Sequence, residues 1–428
     1  MTMIIMIITL IVCLLVGIPA AFSIGLSTLL YFVIERGFFN VPDLMVVNRT
    51  IFGMDSFVLL ALPLFIIVGK VMNESGVTNR LFDFASSLVG HFRGGLGQVN
   101  VAASMIFSGM SGSATADAAG LGAVEIKAMK DAKYPARFAC SITAASAVIG
   151  PIIPPSVALV MYAIFANVSL NQLLIAGILP GLLMGIMLAI FVAYEAVKNN
   201  YPSEKRATLK TILLTGKKSI LPLLTPIILV GGILSGIFTA TEAAAIGSLY
   251  AIILATVVYR TISFRKLYNI FKSSMRDSAV VMILIAVSNV FAWILIREQV
   301  PNYFTDLVVS ISENYYIVMG LLVIFLSLMS MFLSTIVSIS IATPVVVPLV
   351  LEVGGDPLHF GIVMVLTLII GELTPPVGMV LFAIKRVGDI EFVELIKGVV
   401  PYLIALYLVV ILIVIFPQIV VFLPNTFL

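Results

Sequence analysis

The sequence has 428 residues, 61% of them hydrophobic and only 11% charged, with a formal net charge of +3. Soluble domains carry about 25% charged residues, so this composition excludes a soluble globular protein and marks an integral membrane protein. Cys13 and Cys140 both lie in apolar runs, which excludes a disulfide framework. The apolar runs are long and continuous, as in membrane helices, and do not alternate as barrel strands do.

The opening run, 3–34, would be about 48 Å long as one helix at ~1.5 Å per residue. A membrane core of about 30 Å needs roughly 20 residues. Gly17-Ile18-Pro19 interrupts the run, so it reads as two short spans. No Lys or Arg precedes residues 3–16, which sets it apart from a signal peptide. Further spans are expected at 57–72, 137–166, 173–197, 219–238, 243–259, 277–296, 360–386 and 398–424. Segments near 97–127 and 315–351 are apolar but interrupted by small hydroxyl residues.

Loops 127–137, 198–218 and 260–276 are basic and are therefore cytoplasmic. If 97–127 crossed the membrane once, Lys70, Arg80 and Arg93 would lie outside and the span 57–72 would run the wrong way. If 97–127 instead enters and leaves on the cytoplasmic side, and 315–351 does the same from the outside, the charges agree. Of the 24 basic residues, only Arg36, Arg49 and Arg297 then lie outside. The fold class expected is an all-α integral membrane protein with about ten spans and two re-entrant helical hairpins.

Two stretches resemble each other: "GPIIPPSVALVMYA" from Gly150 and "GELTPPVGMVLFA" from Gly371. Gly150, Pro154 and Pro155 sit 221 residues before Gly371, Pro375 and Pro376, and the same offset carries Ser113 onto Ser334. It maps 57–72 onto 278–293 and 173–197 onto 394–418. "GIPAAFSIGLSTLLY" from Gly17 matches "GIFTATEAAAIGSLY" from Gly236 less closely. Corresponding elements run in opposite directions, so this is an inverted repeat, a transporter signature with binding sites near the midplane.

A Pro-Pro in a membrane helix can be a mere kink. Beside a polar cavity, however, its freed carbonyls suit a hard cation such as Na⁺, because non-helical backbone survives at membrane depth only inside protein or next to water. The hairpin tips supply hydroxyls: Ser108, Ser111, Ser113 and Thr115 in the first, and Ser334, Thr335, Ser338 and Ser340 in the second. Gly109 and Gly112 are expected to let the first tip turn; the second has no glycine. Helix N-termini at the tips and after the breaks suit a carboxylate.

Asp117 reads as a helix-start charge, with a ligand role as the alternative, and Glu242 reads as a helix cap. Arg297-Glu298 reads as an outer-interface pair, with Arg297 also placed to attract an anionic substrate. Gly177, Gly181 and Gly185 form a small-residue stripe for close helix packing, with dimerisation as the second reading.

"FSGMSGSATADAAGLGAVEIKAMK", "FACSITAASAVIGPIIPPSVALVMYA" and "GELTPPVGMVLFA" resemble the large membrane subunit of tripartite ATP-independent periplasmic (TRAP) transporters over essentially the whole chain. The likeness is greatest to the sialic acid branch. The resemblance implies a Na⁺-driven importer of organic acid anions in the bacterial inner membrane, working as an elevator. It also implies a separate small membrane subunit of about four helices and a periplasmic substrate-binding protein. Carried over by motif, one Na⁺ site would use Ser111, Ser113, Gly150 and Pro154. The other would use Ser334, Thr335, Gly371, Thr374 and the Met379 carbonyl. Substrate would lie between the tips, near Ser108, Thr115, Pro155, Ser156, Ser338 and Pro376. Ile153 stands opposite Thr374, so the two ligand sets would differ.

In this reading 1–96 forms scaffold spans and an arm, and 97–197 one half of the moving transport domain. A cytoplasmic linker at 198–218 leads to a second scaffold part, 219–314, and a second transport half, 315–428. Outer loops 35–56 and 297–313, with Arg49 and Arg297, are expected to meet the binding protein. No GxxxxGK[ST] loop occurs, which argues against an ATP-driven pump. His91 and His359 are the only histidines and sit at predicted membrane edges, leaving no base for an intramembrane serine hydrolase. The chain is therefore read as no enzyme and no nucleic-acid binder. The alternatives are a C4-dicarboxylate or other carboxylate permease of the same family and, from other classes, an ion channel or an anion exchanger. Few Asp, Glu or His residues are expected inside the membrane, which favours Na⁺ over a proton relay.

Overall fold

The computed structural model describes residues 2–40 and 42–427, and among these there is no strand. For so apolar a chain, helices satisfy the backbone that lipid cannot. Seven helices among the described residues are long and apolar enough to cross a membrane, including Leu170–Asn199, Leu209–Leu234, Phe264–Arg297 and Phe392–Ile415. The other expected spans are built from shorter pieces. The opening run divides into Thr2–Leu15 and Ala20–Arg36, and Gly17 turns at φ +89° between them. Ile4, Ile8, Leu15, Phe22 and Leu26 remain exposed on these helices, an apolar exterior suited to lipid.

Both interrupted segments fold as helical hairpins. The first rises as Gly95–Ser111, turns at Gly112 and Ser113, and returns as Ala114–Ala119 and Leu121–Asp131. The second rises as Tyr315–Ser330 and returns as Thr335–Glu352. Both Pro-Pro stretches are breaks between half-helices. Residues 148–156 separate Ala136–Ala147 from Val157–Ala166, and 372–378 separate Pro357–Gly371 from Met379–Gly388. The 221-residue offset carries Ala136 onto Pro357 and the limits of the first return limb onto those of Thr335–Glu352. The repeat therefore holds for the backbone as well as for the motifs.

The small-residue stripe packs helices tightly, as expected. A Cβ at Gly177 would lie 2.3 Å from the Ile152 carbonyl oxygen, one at Gly181 2.4 Å from Ile153, and one at Gly185 2.1 Å from the Met105 sulfur. The helix thus braces the first break and the first hairpin together. Overpacking such a contact costs about 1–3 kcal/mol. Gly181→Val is therefore expected to melt several degrees below wild type in detergent; an unchanged melting curve would show that the contact is dispensable.

Two expectations about local structure need correction. Gly109 is not a turn residue. It lies inside Gly95–Ser111, where a Cβ would meet the Pro226 ring at 2.6 Å, and Gly112 alone turns, at φ +67°. Nor is 198–218 a loop throughout. Leu209–Leu234 begins within it, capped by Thr208, which accepts from the Thr211 amide at 3.3 Å. The remaining stretch is tied down: the Glu204 amide donates to the Gly90 carbonyl at 3.0 Å, and the Tyr134 hydroxyl to that of Pro202 at 2.6 Å. Glu242 does cap its helix, forming a reciprocal capping box with Thr239.

Candidate functional site

The hairpin tips seat on the breaks. At the first tip Gly112 touches the first break so closely that a Cβ would stand 2.3 Å from the Pro155 carbonyl oxygen. Ser113 is extended and caps Ala114–Ala119, accepting from the Ala116 amide at 3.4 Å. In the break, Ser156 accepts from the Leu159 amide at 3.1 Å and donates to the Pro151 carbonyl. The Pro154-Pro155 and Pro375-Pro376 bonds are both cis.

The second tip is organised differently. Lacking glycine, it places Ser334 in extended backbone with no side-chain capping bond. Glu372, from the second break, takes over the capping. Its Oε1 accepts from the Thr335 amide at 3.1 Å and from the Thr335 hydroxyl at 2.7 Å. A carboxylate at a helix N-terminus satisfies an orphan donor and complements the dipole.

One cavity of about 310 Å³ lies where these parts meet. Of the expected residues, Ser111, Ser113, Thr115, Ser334, Thr335 and Met379 line it, with Pro151 and Glu372 from the two breaks. Gly150, Pro154, Pro155, Ser156, Thr374 and Pro376 belong to the breaks and Gly371 ends the half-helix before the second; none of them lines the cavity. Gly371 packs against the Ser330 hydroxyl, and the Thr374 hydroxyl donates to the Ile370 carbonyl at 3.2 Å. Ser108 is not at the tip; it is buried and donates to the Met105 carbonyl at 2.6 Å. Ser338 is also buried, away from the cavity lining.

The expectation of few buried acids is corrected by the structure. Asp117, Glu125 and Glu372 are at most 9% exposed. Asp117 lies in the first turn of its helix, as expected of a helix-start charge, and also abuts the first break. Its Oδ2 would be 2.2 Å from a Cβ on Gly150, and its Oδ1 has no partner among the described residues. Glu125 sits deeper, beside a buried polar cluster. There the Asn100 amide donates to Thr143 at 2.7 Å, and Ser146 to the Asn100 carbonyl oxygen at 2.6 Å. Ser104 completes the cluster by donating to Ser146 at 3.0 Å.

Lys70 and Asp277 were not anticipated. They form an ion pair on the cavity wall, and Lys70 also donates to Ser273 at 2.5 Å. The partners are 207 residues apart, so no local signal could have joined them. Arg297 is not a free cation: it grips both carboxylate oxygens of Glu35, at 2.6 and 3.3 Å. It and Arg49 both lie over the Trp293 ring, at 5.5 and 5.9 Å.

Residues 7–419 match the family described as the tripartite ATP-independent periplasmic transporter, DctM component. The chain belongs to this TRAP family. It is 42% identical, over 96% of both chains, to a sialic acid TRAP transporter large permease protein of Vibrio cholerae serotype O1. It is 34% identical, again over 96% of both, to a 2,3-diketo-L-gulonate TRAP transporter large permease protein of Escherichia coli K12. In fold it is similar to the crystal structure of the Alcanivorax borkumensis YdaH transporter, with a TM-score of 0.64 over 86% of each chain at 14% identity. TRAP large subunits are permeases, so the protein is a transporter component and not an enzyme.

Proposed function

We propose that this TRAP permease imports an organic acid anion, first of all the sialic acid N-acetylneuraminate, across the bacterial inner membrane by Na⁺ symport. The observation that carries the reading is that both hairpin tips and both helix breaks converge on one cavity. In the first half, Ser111, Ser113 and the backbone around Gly150 and Pro154 would hold one Na⁺, with Asp117 supplying negative charge beside it. In the second, Ser334, Thr335, Gly371, Thr374 and the Met379 carbonyl would hold another, with Glu372 alongside. The acid would lie between the tips, near the start of the first return limb, whose helix N-terminus suits an anion. Hairpins and broken helices would move as one body, an elevator against the remaining helices. A small membrane subunit of about four helices and a periplasmic binding protein would complete the system.

Uptake into proteoliposomes holding this chain and its small subunit tests the reading. An inward Na⁺ gradient and a sialic acid-loaded binding protein are supplied, and each is then omitted in turn. Uptake is expected only when both are present. Uptake without the binding protein, or driven equally by protons, would overturn the mechanism. Silence with sialic acid but uptake of another acid delivered by its own binding protein would correct only the substrate.

A further inference from the structure

A cavity that carries an organic acid through a low-dielectric interior is favoured by a fixed positive charge near the carboxylate. Among the described residues lining this cavity Lys70 is the only basic one. We propose that Lys70 takes the carboxylate of the transported acid, and that Asp277 is an internal counter-ion which that carboxylate replaces. This inference rests on the proposed function, since it presumes an acid as cargo.

The placement fits. Lys70 belongs to Ala61–Glu74, the helix on which the first tip rests: a Cβ on its neighbour Gly69 would lie 3.0 Å from the Ser111 carbonyl oxygen. Asn73, one turn on, reaches the cavity wall beside Lys70 and abuts Gly120 of the same hairpin. A carboxylate held at the tips would therefore be within a side chain's reach of Lys70. Lysine also suits an exchange of partners, because its ammonium is a point charge on a flexible stem with three rotatable donors.

The pair is a poor candidate for a purely structural clamp. Its side chains are 29% and 51% exposed, and partly exposed ion pairs contribute little to stability. The same two helices are already tied by Lys266 and Glu74 at 2.6 Å. The inverted repeat does not preserve the pair either, since its offset sets Phe291 opposite Lys70 and Ser56 opposite Asp277. The architecture is thus built once without it.

The test is uptake into proteoliposomes that contain the chain with its small subunit, with an inward Na⁺ gradient and the binding protein supplied throughout. N-acetylneuraminate and its uncharged methyl ester are each supplied to wild type, Lys70→Gln, Lys70→Arg and the exchanged pair Lys70→Asp/Asp277→Lys. Wild type is expected to prefer the acid. Lys70→Gln should lose that preference by about tenfold or more, as removal of a charge-assisted hydrogen bond implies, while Lys70→Arg keeps most of it. The exchanged pair should stay defective, because it restores the ion pair but moves the cation. An acid-to-ester ratio in Lys70→Gln equal to wild type's, or full recovery in the exchanged pair, would overturn the role of Lys70 alone. Failure of wild type to take up any acid tried under these conditions would instead sink the functional reading on which it rests.

Discussion

Gly112→Ala is expected to reduce uptake by about a hundredfold while leaving the protein soluble in detergent and monodisperse. Two effects add at this position. An L-residue at φ +67° pays about 1–2 kcal/mol for the left-handed backbone. The new methyl would also stand 2.3 Å from the Pro155 carbonyl oxygen, and a backbone oxygen in a packed break cannot rotate away. Relief requires the tip to lift from the break, at about 1–3 kcal/mol, which opens the cavity lining on that side. With roughly 1.4 kcal/mol per tenfold, the two effects together reach the expected loss. Gly354 separates them: it has φ +74° with nothing within 4 Å of its Cβ position, so Gly354→Ala carries the backbone strain without the clash. Near-normal uptake in Gly112→Ala, or an equal defect in Gly354→Ala, would count against the seated tip.

Glu372→Ala should be nearly as damaging, and it should show in the cation dependence. The carboxylate is the cap of Thr335–Glu352, accepting from both the amide and the hydroxyl of Thr335. Its removal leaves a buried N–H unpaired, at about 1–3 kcal/mol, just where the second Na⁺ is proposed to sit. The Na⁺ concentration for half-maximal uptake is expected to rise about tenfold or more in Glu372→Ala. Glu372→Gln, which keeps an acceptor but not the charge, should fall between. If the alanine variant shows wild-type Na⁺ dependence, the carboxylate is no part of the cation site.

The backbone plan could be read from the sequence because it rests on two strong signals. The positions of Lys and Arg allow few topologies, and Pro-Pro in an apolar run removes two successive amide donors and so disfavours an unbroken helix. Together they located both hairpins and both breaks to within a few residues. The side-chain partnerships were another matter. Glu372 stands in "GELTPP", where the prolines are the stronger local signal, and its target Thr335 is 37 residues away. Lys70 reads as one more cytoplasmic charge until Asp277 is set beside it. Gly109 and Gly112 look alike in "SGMSGS", yet one accommodates Pro226 and the other reverses the chain. Which contact a small residue serves depends on the neighbour that faces it, and neighbours remote in sequence leave no mark in the local pattern.

The buried polar cluster of Asn100, Ser104, Thr143 and Ser146, with Glu125 beside it, has a further consequence. Carried through the repeat, those positions become Leu321, Phe325, Val346, Met364 and Thr367. One half is therefore fastened by directional bonds that admit a single register. Its counterpart is mostly apolar at these positions, with Thr367 bonded only within its own helix and Met364 accepting from Thr343, and apolar packing of that kind tolerates volume-conserving exchange. The two halves share a backbone outline but not the bonds that fasten it, so the repeat in the backbone does not make them chemically interchangeable.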